Sequence, residues 1–288
     1  MSDALLKITQ LNAGYGEMPV LRDISIDIRP AEIVAMVGSN GAGKTTLLRA
    51  ISRLIPSRGN MSFDGRSLAG ATADEVFAMG LVQVPEGRQL FDRMSVEENL
   101  LMGAYKRPDK TAIKGDLVRV YQIFPTLAGR RRQLAGSMSG GEQQMCAMAR
   151  ALMARPRLMM VDEMSLGLAP MTVDLLLETM TQIRRQGVTV LLVEQDVHAA
   201  LSVADRGYVM ETGEIVREGT ARELENDPEV RRAYLGEIVS ASTSPMEVSA
   251  LPVIQTPYWS INGVAPRSIP RAGQVGCSGP ATNYFKKV

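Results

Sequence analysis

The stretch that most constrains this chain lies at residues 32–53. An apolar run, EIVAMVG, leads into GSNGAGKTT (38–46), and a helical pattern leaves it from Lys44 to about Arg53. Gly38, Gly43, Lys44 and Thr45 satisfy the spacing G-x-x-x-x-G-K-[ST] between a strand and a helix. Glycine lets the backbone curl around a phosphate. The N–H groups of the loop, through Ser39, Asn40, Gly41 and Ala42 to Thr46, then point at its oxygens, and the helix start adds partial positive charge. Lys44 is expected to reach the β- and γ-phosphates of a nucleotide, and the Thr45 hydroxyl to ligate Mg²⁺.

The rest of the pattern suits such a loop. LMMV (158–161) and VTVLLV (188–193) are short, wholly apolar runs separated by a helical stretch, Met171–Arg185. Apolar strands alternating with helices predict an α/β fold with a parallel sheet covered on both faces. LLKITQL and VLRDISIDI, before the loop, read as alternating strands. Between Glu86 and Arg150 the chain is mostly helical, with SVEENLLMGAY and EQQMCAMARALMA the clearest helices. About 87–150 therefore reads as a helical subdomain set into the core. RGYVMETGEIVREG predicts a hairpin turning at Thr212-Gly213, and amphipathic helices follow to about Gly236.

LMMVDE supplies the second half of a phosphate site. Asp162 emerges at the C-terminal end of a buried strand, where ligands bind in open α/β sheets. It is expected to hold Mg²⁺, directly or through water, and Glu163 to orient and polarise an attacking water. Those two motifs suit a kinase or a GTPase equally. GSMSGGEQQM (136–145) narrows the choice. Ser139-Gly140-Gly141 immediately precedes a long helix and offers a second anion site, with spacing that suggests service to a nucleotide held by another copy.

Bulk properties exclude more than they assign. The formal charge is +1, but the segment from Ser240 onward holds four Lys/Arg and one acidic residue, leaving the body at −2. A mildly acidic body argues against nucleic-acid binding. Arg130-Arg131-Arg132 reads as a solvated loop. Two cysteines, Cys146 and Cys277, lack metal-ligand spacing and suggest no disulfide framework. The opening MSDALLKITQ has no signal-peptide core, and no run is long enough to span a bilayer. Residues 238–288, rich in proline and serine, read as a flexible tail that carries the sole tryptophan, Trp259.

Over about residues 4–237 these motifs together resemble an ABC-type ATPase domain. GSNGAGKTT matches the Walker A loop, MSGGE the signature motif, LMMVDE the Walker B strand and SLGLAP (165–170) the loop that crosses to a partner domain. Tyr15, in LNAGYG, matches the aromatic residue that stacks on adenine. VPEGRQLF, MSVEENL, LLVEQ and ADRGYVMETGEIV resemble ATP-binding subunits of branched-chain amino-acid importers, of the Liv F type. The resemblance implies a P-loop NTPase core with a parallel sheet, an N-terminal antiparallel β subdomain and an inserted helical signature subdomain. It implies ATP and Mg²⁺, with nucleotide contacts from Tyr15, the 38–46 loop and Ser139, Gly140, Gly141 and Glu142. The implied partners are a second ATPase subunit, as a heterodimer, and two membrane permease subunits fed by a periplasmic binding protein. The chain would sit on the cytoplasmic face of the bacterial inner membrane, touching it only through the permease. Related importers for urea, short amides or other amino acids use similar subunits, and a subunit that mainly dimerises on ATP is the alternative reading.

Three departures from the family pattern stand out. Glu86 occupies the usual Q-loop glutamine position, where a carboxylate can still ligate Mg²⁺ or orient water, and Gln83 on the preceding strand reads as structural. Met164 follows Glu163 where proline is usual, removing a restraint on that turn. Gln195 falls where a histidine normally meets the γ-phosphate. The only histidine, His198, lies three residues later and reads as a helix-surface residue.

Overall fold

A computed structural model describes residues 4–234; the 238–288 segment, with Trp259 and Cys277, lies outside the described residues. The chain opens with β1 (Leu6–Tyr15), β2 (Met18–Ile28) and β3 (Ile33–Val37), then α1 (Lys44–Ile51). It continues through β4 (Ser57–Phe63), β5 (Arg66–Ser67), α2 (Ala73–Ala78) and β6 (Leu81–Val84). Next come α3 (Val96–Gly103), α4 (Lys110–Ile123), α5 (Pro125–Ala128) and α6 (Gly140–Leu152). The second half alternates: β7 (Leu158–Asp162), α7 (Pro170–Arg185), β8 (Thr189–Glu194), α8 (Val197–Val203) and β9 (Arg206–Glu211). It closes with β10 (Glu214–Thr220), α9 (Ala221–Asn226) and α10 (Pro228–Tyr234).

Two sheets result. A six-stranded sheet, ordered β10-β9-β3-β8-β7-β6, is parallel except for β10, which folds back on β9. A four-stranded antiparallel sheet, ordered β2-β1-β4-β5, stands apart from it. β3, β7 and β8 are buried at every residue, as their unbroken apolar runs require. Alternate residues of β3 serve two cores. Val34 and Met36 face α1 and the antiparallel sheet, packing with Leu47, Ile51 and Phe63. Ile33, Ala35 and Val37 join the core formed with the helices on the other face, including Met148 of α6 and Met180 of α7.

The sequence expectation misplaced one boundary. The helix carrying EQQMCAMARALMA starts at Gly140, so both glycines lie inside its first turn. Ser139 caps it, accepting a hydrogen bond from Glu142 N–H, while the Glu142 carboxylate accepts from Ser139 N–H. A reciprocal capping box of this kind stabilises a helix start enough to admit two glycines. The whole helical insertion, α3 to α6, is the crossover between the adjacent strands β6 and β7. Cys146, in the middle of α6, is fully buried, and burial pushes its thiol up to about 12.

Candidate functional site

The site assembles where β1, β3, β7 and β8 end. β3 stops at Val37 and the loop 38–43 carries the chain into α1. A Cβ on Gly38 would lie 2.2 Å from the Met210 carbonyl oxygen, so β9 presses the loop from behind and only glycine fits. Helix α1 starts without a side-chain cap and without acidic residues in its first turn. Its leading N–H groups are therefore left for an anion.

Lys44 is 4% exposed, which for a lysine demands partners. Its ammonium donates to the carbonyls of Gly38 (2.8 Å) and Ser39 (3.1 Å) and lies 3.2 Å from a Glu163 carboxylate oxygen. The Thr45 hydroxyl donates to Asp162 Oδ1 at 3.3 Å. The other Asp162 oxygen is buried with no hydrogen-bond partner. Burial, with the nearby Glu163 and Glu86 carboxylates, pushes the Asp162 carboxyl up to about 6 despite the Thr45 hydrogen bond and the Lys44 charge. A buried oxygen without a partner, beside a hydroxyl, fits a divalent cation. Among the described residues no cluster of three or more His, Cys, Asp or Glu side chains could hold a metal ion by itself. Mg²⁺ needs none, because it takes one or two protein ligands and draws the rest from phosphates and water.

Glu163 sits just beyond β7 with φ 43°, a left-handed conformation that costs a non-glycine residue about 1 kcal/mol. Its N–H donates to the Val193 carbonyl at 2.9 Å, tying the turn to β8. Met164, which replaces a proline in the family pattern, is 1% exposed and anchors the turn in the helical-side core. Tyr15 ends β1 about half exposed, its hydroxyl 3.5 Å from Thr46 Oγ1 and accepting from Arg49 at 3.0 Å. The antiparallel sheet thus delivers an aromatic ring beside the first turn of α1.

The other expected site residues lie around this centre. Glu86 is exposed in the loop after β6, near enough for its charge to act on Asp162. Gln83 accepts from the Ser52 hydroxyl at 2.9 Å, a structural role. Gln195 is exposed between β8 and α8, and Asp196 caps α8 by accepting from Ala199 N–H. His198 projects from α8 with its side chain 74% exposed, 3.8 Å from Glu225. Ser139 is exposed at the tip of α6, while Glu142 pairs with Arg130 at 2.9 Å. No hydrogen bond or ion pair among the described residues joins Ser139–Glu142 to the Lys44 site.

Three positioning contacts escaped the sequence. Gly213, in the β9–β10 turn, donates its N–H to the Ala42 carbonyl at 2.8 Å and so braces the phosphate loop. Arg150 of α6 donates to the carbonyls of Gln89 (2.7 Å) and Arg88 (3.2 Å), and Arg88 donates to Gln143 (3.1 Å). The Glu86 loop is thereby fastened to the helix that begins at Gly140. Glu194 accepts two hydrogen bonds from Ser165. None of these pairs has a local spacing that could have disclosed it.

Residues 21–165 match the family described as ABC transporter. The chain is 43% identical over 233 residues, 81% of its own length and all of the relative's, to the high-affinity branched-chain amino acid transport ATP-binding protein BraG of Pseudomonas aeruginosa. The chain belongs to the ABC transporter ATP-binding family. As an ABC ATPase it hydrolyses ATP. It is also 34% identical to the probable branched-chain amino acid transport ATP-binding protein LivF of Archaeoglobus fulgidus, covering 81% of this chain and 99% of that one. At 30% identity it resembles the lipopolysaccharide export ATP-binding protein LptB of Haemophilus influenzae, covering 81% and 98%. Among solved structures, a nucleotide-free ATP-binding cassette aligns with TM-score 0.72 at 24% identity, covering 82% of this chain and all of that one. An ABC transporter ATP-binding subunit aligns with TM-score 0.69 at 28% identity, covering 81% and 96%. The ABC ATPase fold expected from the motifs is the fold observed.

Proposed function

We propose that this ABC ATPase powers a branched-chain amino-acid importer, and that Lys44, Thr45, Asp162 and Glu163 carry its hydrolysis. The observation that carries the reading is the convergence of those four side chains on the mouth of one loop. Lys44 binds the outer phosphates, moving off its own loop carbonyls to do so. The loop N–H groups from Ser39 to Thr46 cradle the phosphates and Tyr15 covers the base. Thr45 and Asp162, with Glu86 at the rim, hold Mg²⁺, which when bound offsets phosphate charge. Glu163 orients the attacking water, and the Gln195 amide donates to the γ-phosphate.

Partners follow from what the site lacks within one chain. Ser139, Gly140, Gly141 and Glu142 complete a nucleotide site on a second ATP-binding subunit, giving a pair with composite sites. Phe91, Tyr105 and Leu54, all exposed, rim a groove with Phe77 and Val82 beside the Glu86 loop. That groove suits an apolar segment of a membrane permease. No helix among the described residues is long and apolar enough to cross a membrane; the likeness to transport ATP-binding proteins supports a peripheral place on the cytoplasmic face of the inner membrane. The branched-chain substrate is supported by the likeness to the Pseudomonas relative. It enters only through the permease and a periplasmic binding protein.

The test is uptake by the reconstituted transporter with leucine, isoleucine or valine as cargo. ATP-dependent uptake of all three is expected, and Glu163→Gln in this subunit alone is expected to slow ATP turnover about 100-fold or more. Uptake of urea or amides instead would reassign the cargo. Unchanged turnover in the variant would place the working hydrolysis in the partner subunit.

A further inference from the structure

The pairing of β7 with β8 continues beyond both strands. Asp162 lies opposite Val193 in the ladder, and the next residue, Glu163, donates its N–H to the Val193 carbonyl at 2.9 Å. Two residues on, Ser165 presents its N–H to one oxygen of Glu194 at 3.0 Å and its hydroxyl to the other at 2.7 Å. Glu194 ends β8, immediately before Gln195, and is 1% exposed. Two hydrogen bonds from one residue to both oxygens of a carboxylate fix direction as well as distance. Glu163 needs such help, because φ 43° persists only where surroundings enforce it. Met164 imposes no φ of its own, as a proline would. The turn is therefore held by the Val193 carbonyl before it, the buried Met164 within it and the Glu194 carboxylate after it. A buried carboxylate whose partners are one backbone N–H and one hydroxyl is costly to keep, so the group earns retention by what it holds.

We propose that Glu194 is a positioning residue that grips Ser165 at two points, keeps the Glu163 turn in its strained shape and locks the root of the 165–170 loop to the strand end that carries Gln195. The inference rests on Glu163 as the water-orienting residue. Through it, the two groups that face the γ-phosphate from neighbouring strands, Glu163 and Gln195, share one brace.

The test is ATP turnover by the assembled transporter carrying Glu194→Ala, Glu194→Gln, Glu194→Asp or Ser165→Ala in this chain. Equilibrium binding of a fluorescent ATP analogue is measured separately. Glu194→Ala is expected to lower kcat about tenfold, the penalty of a small misplacement near the chemistry, with nucleotide affinity unchanged. Glu194→Gln can accept the Ser165 N–H with its carbonyl and donate to the hydroxyl with its amide, so it is expected to keep about half the rate or more. Glu194→Asp, one methylene short, falls between. Ser165→Ala slows kcat but adds nothing on top of Glu194→Ala, as for two residues acting as one unit. The proposal is overturned if Glu194→Ala turns over at the wild-type rate, if affinity falls in step with kcat, or if Glu194→Gln is as slow as Glu194→Ala. Should Glu194→Ala not fold, Ser165→Ala decides: slow turnover with intact binding supports the brace, and a wild-type rate overturns it. Full turnover of Glu163→Gln would instead remove the reading of Glu163, a result distinct from full turnover of any Glu194 variant.

Discussion

Lys44, Glu163, Asp162 and Thr45 form a charge balance that leaves one carboxylate oxygen unanswered. Protonation would answer it. The Asp162 carboxyl is raised from an ordinary 3.8 to about 6 by burial and by its acidic neighbours. A raised carboxyl favours the folded protein at low pH, and that contribution is lost as pH climbs from about 4 through about 6. Asp162→Asn keeps the shape and removes the charge. In the absence of nucleotide and metal, it is expected to be more stable than the wild type at pH 7.5, by on the order of 2 kcal/mol, the gap closing below pH 4. Denaturant melts of both proteins across that range check it, and the variant should hydrolyse ATP far more slowly. A second expectation concerns the only histidine. His198→Ala should leave ATP turnover nearly intact, whereas Gln195→Ala should lower it; the reverse ranking would overturn the placement of Gln195. Residue identities in this site were legible because the phosphate loop and the β7 end are local motifs. Met164 was not. It reads in sequence as a missing restraint, yet its side chain is an anchor, because burial depends on neighbours far along the chain.

Elements tell a similar story. Strands β3, β7 and β8 and helices α1, α6 and α7 were readable because unbroken apolar runs and helical periodicity are short-range signals. β4 was not, since SRGNMSF shows a buried face only at Met61 and Phe63. The β9–β10 hairpin was expected at Thr212-Gly213, and it forms there, but its service to the phosphate loop was invisible. Gly213 has φ 82°, and a Cβ there would fall 1.8 Å from the Val20 carbonyl oxygen. Gly213→Ala must therefore displace β2 or the loop it braces. It is expected to cost about 2 kcal/mol or more in stability and to weaken ATP binding, readable by urea unfolding and nucleotide titration. Arg150 offers the complementary case on the other side of the sheet. Arg150→Ala removes charged hydrogen bonds to two carbonyls of the Glu86 loop and should destabilise the fold by about 2 kcal/mol, while also slowing ATP turnover in the assembled transporter.

At the scale of the molecule, one central sheet serves two masters. The face toward α1 and the antiparallel sheet builds the nucleotide site, and the opposite face carries the helical insertion. Because no hydrogen bond or ion pair joins Ser139 to Lys44 among the described residues, the proposed pair predicts asymmetry on mutation. Ser139→Arg in this subunit should leave ATP binding at its own Lys44 intact and block hydrolysis at the partner's site. Single-turnover assays with one defective subunit per complex would show it. The insertion also has an architectural consequence. It leaves the C-terminal end of β6 and returns to the N-terminal end of β7, parallel neighbours in which Val84 lies opposite Val161 and Leu81 opposite Leu158, so it must cross from one end of the strands to the other. Its last helix, α6, makes that return and belongs to the engine, with Ser139–Glu142 at its tip and Arg150 against the Glu86 loop. The stretch ahead of α6, α3 to α5, is the exchangeable part: its length and sequence can drift without changing strand order or the phosphate loop, so natural selection can re-key the subunit to a new transporter there while α6 is kept.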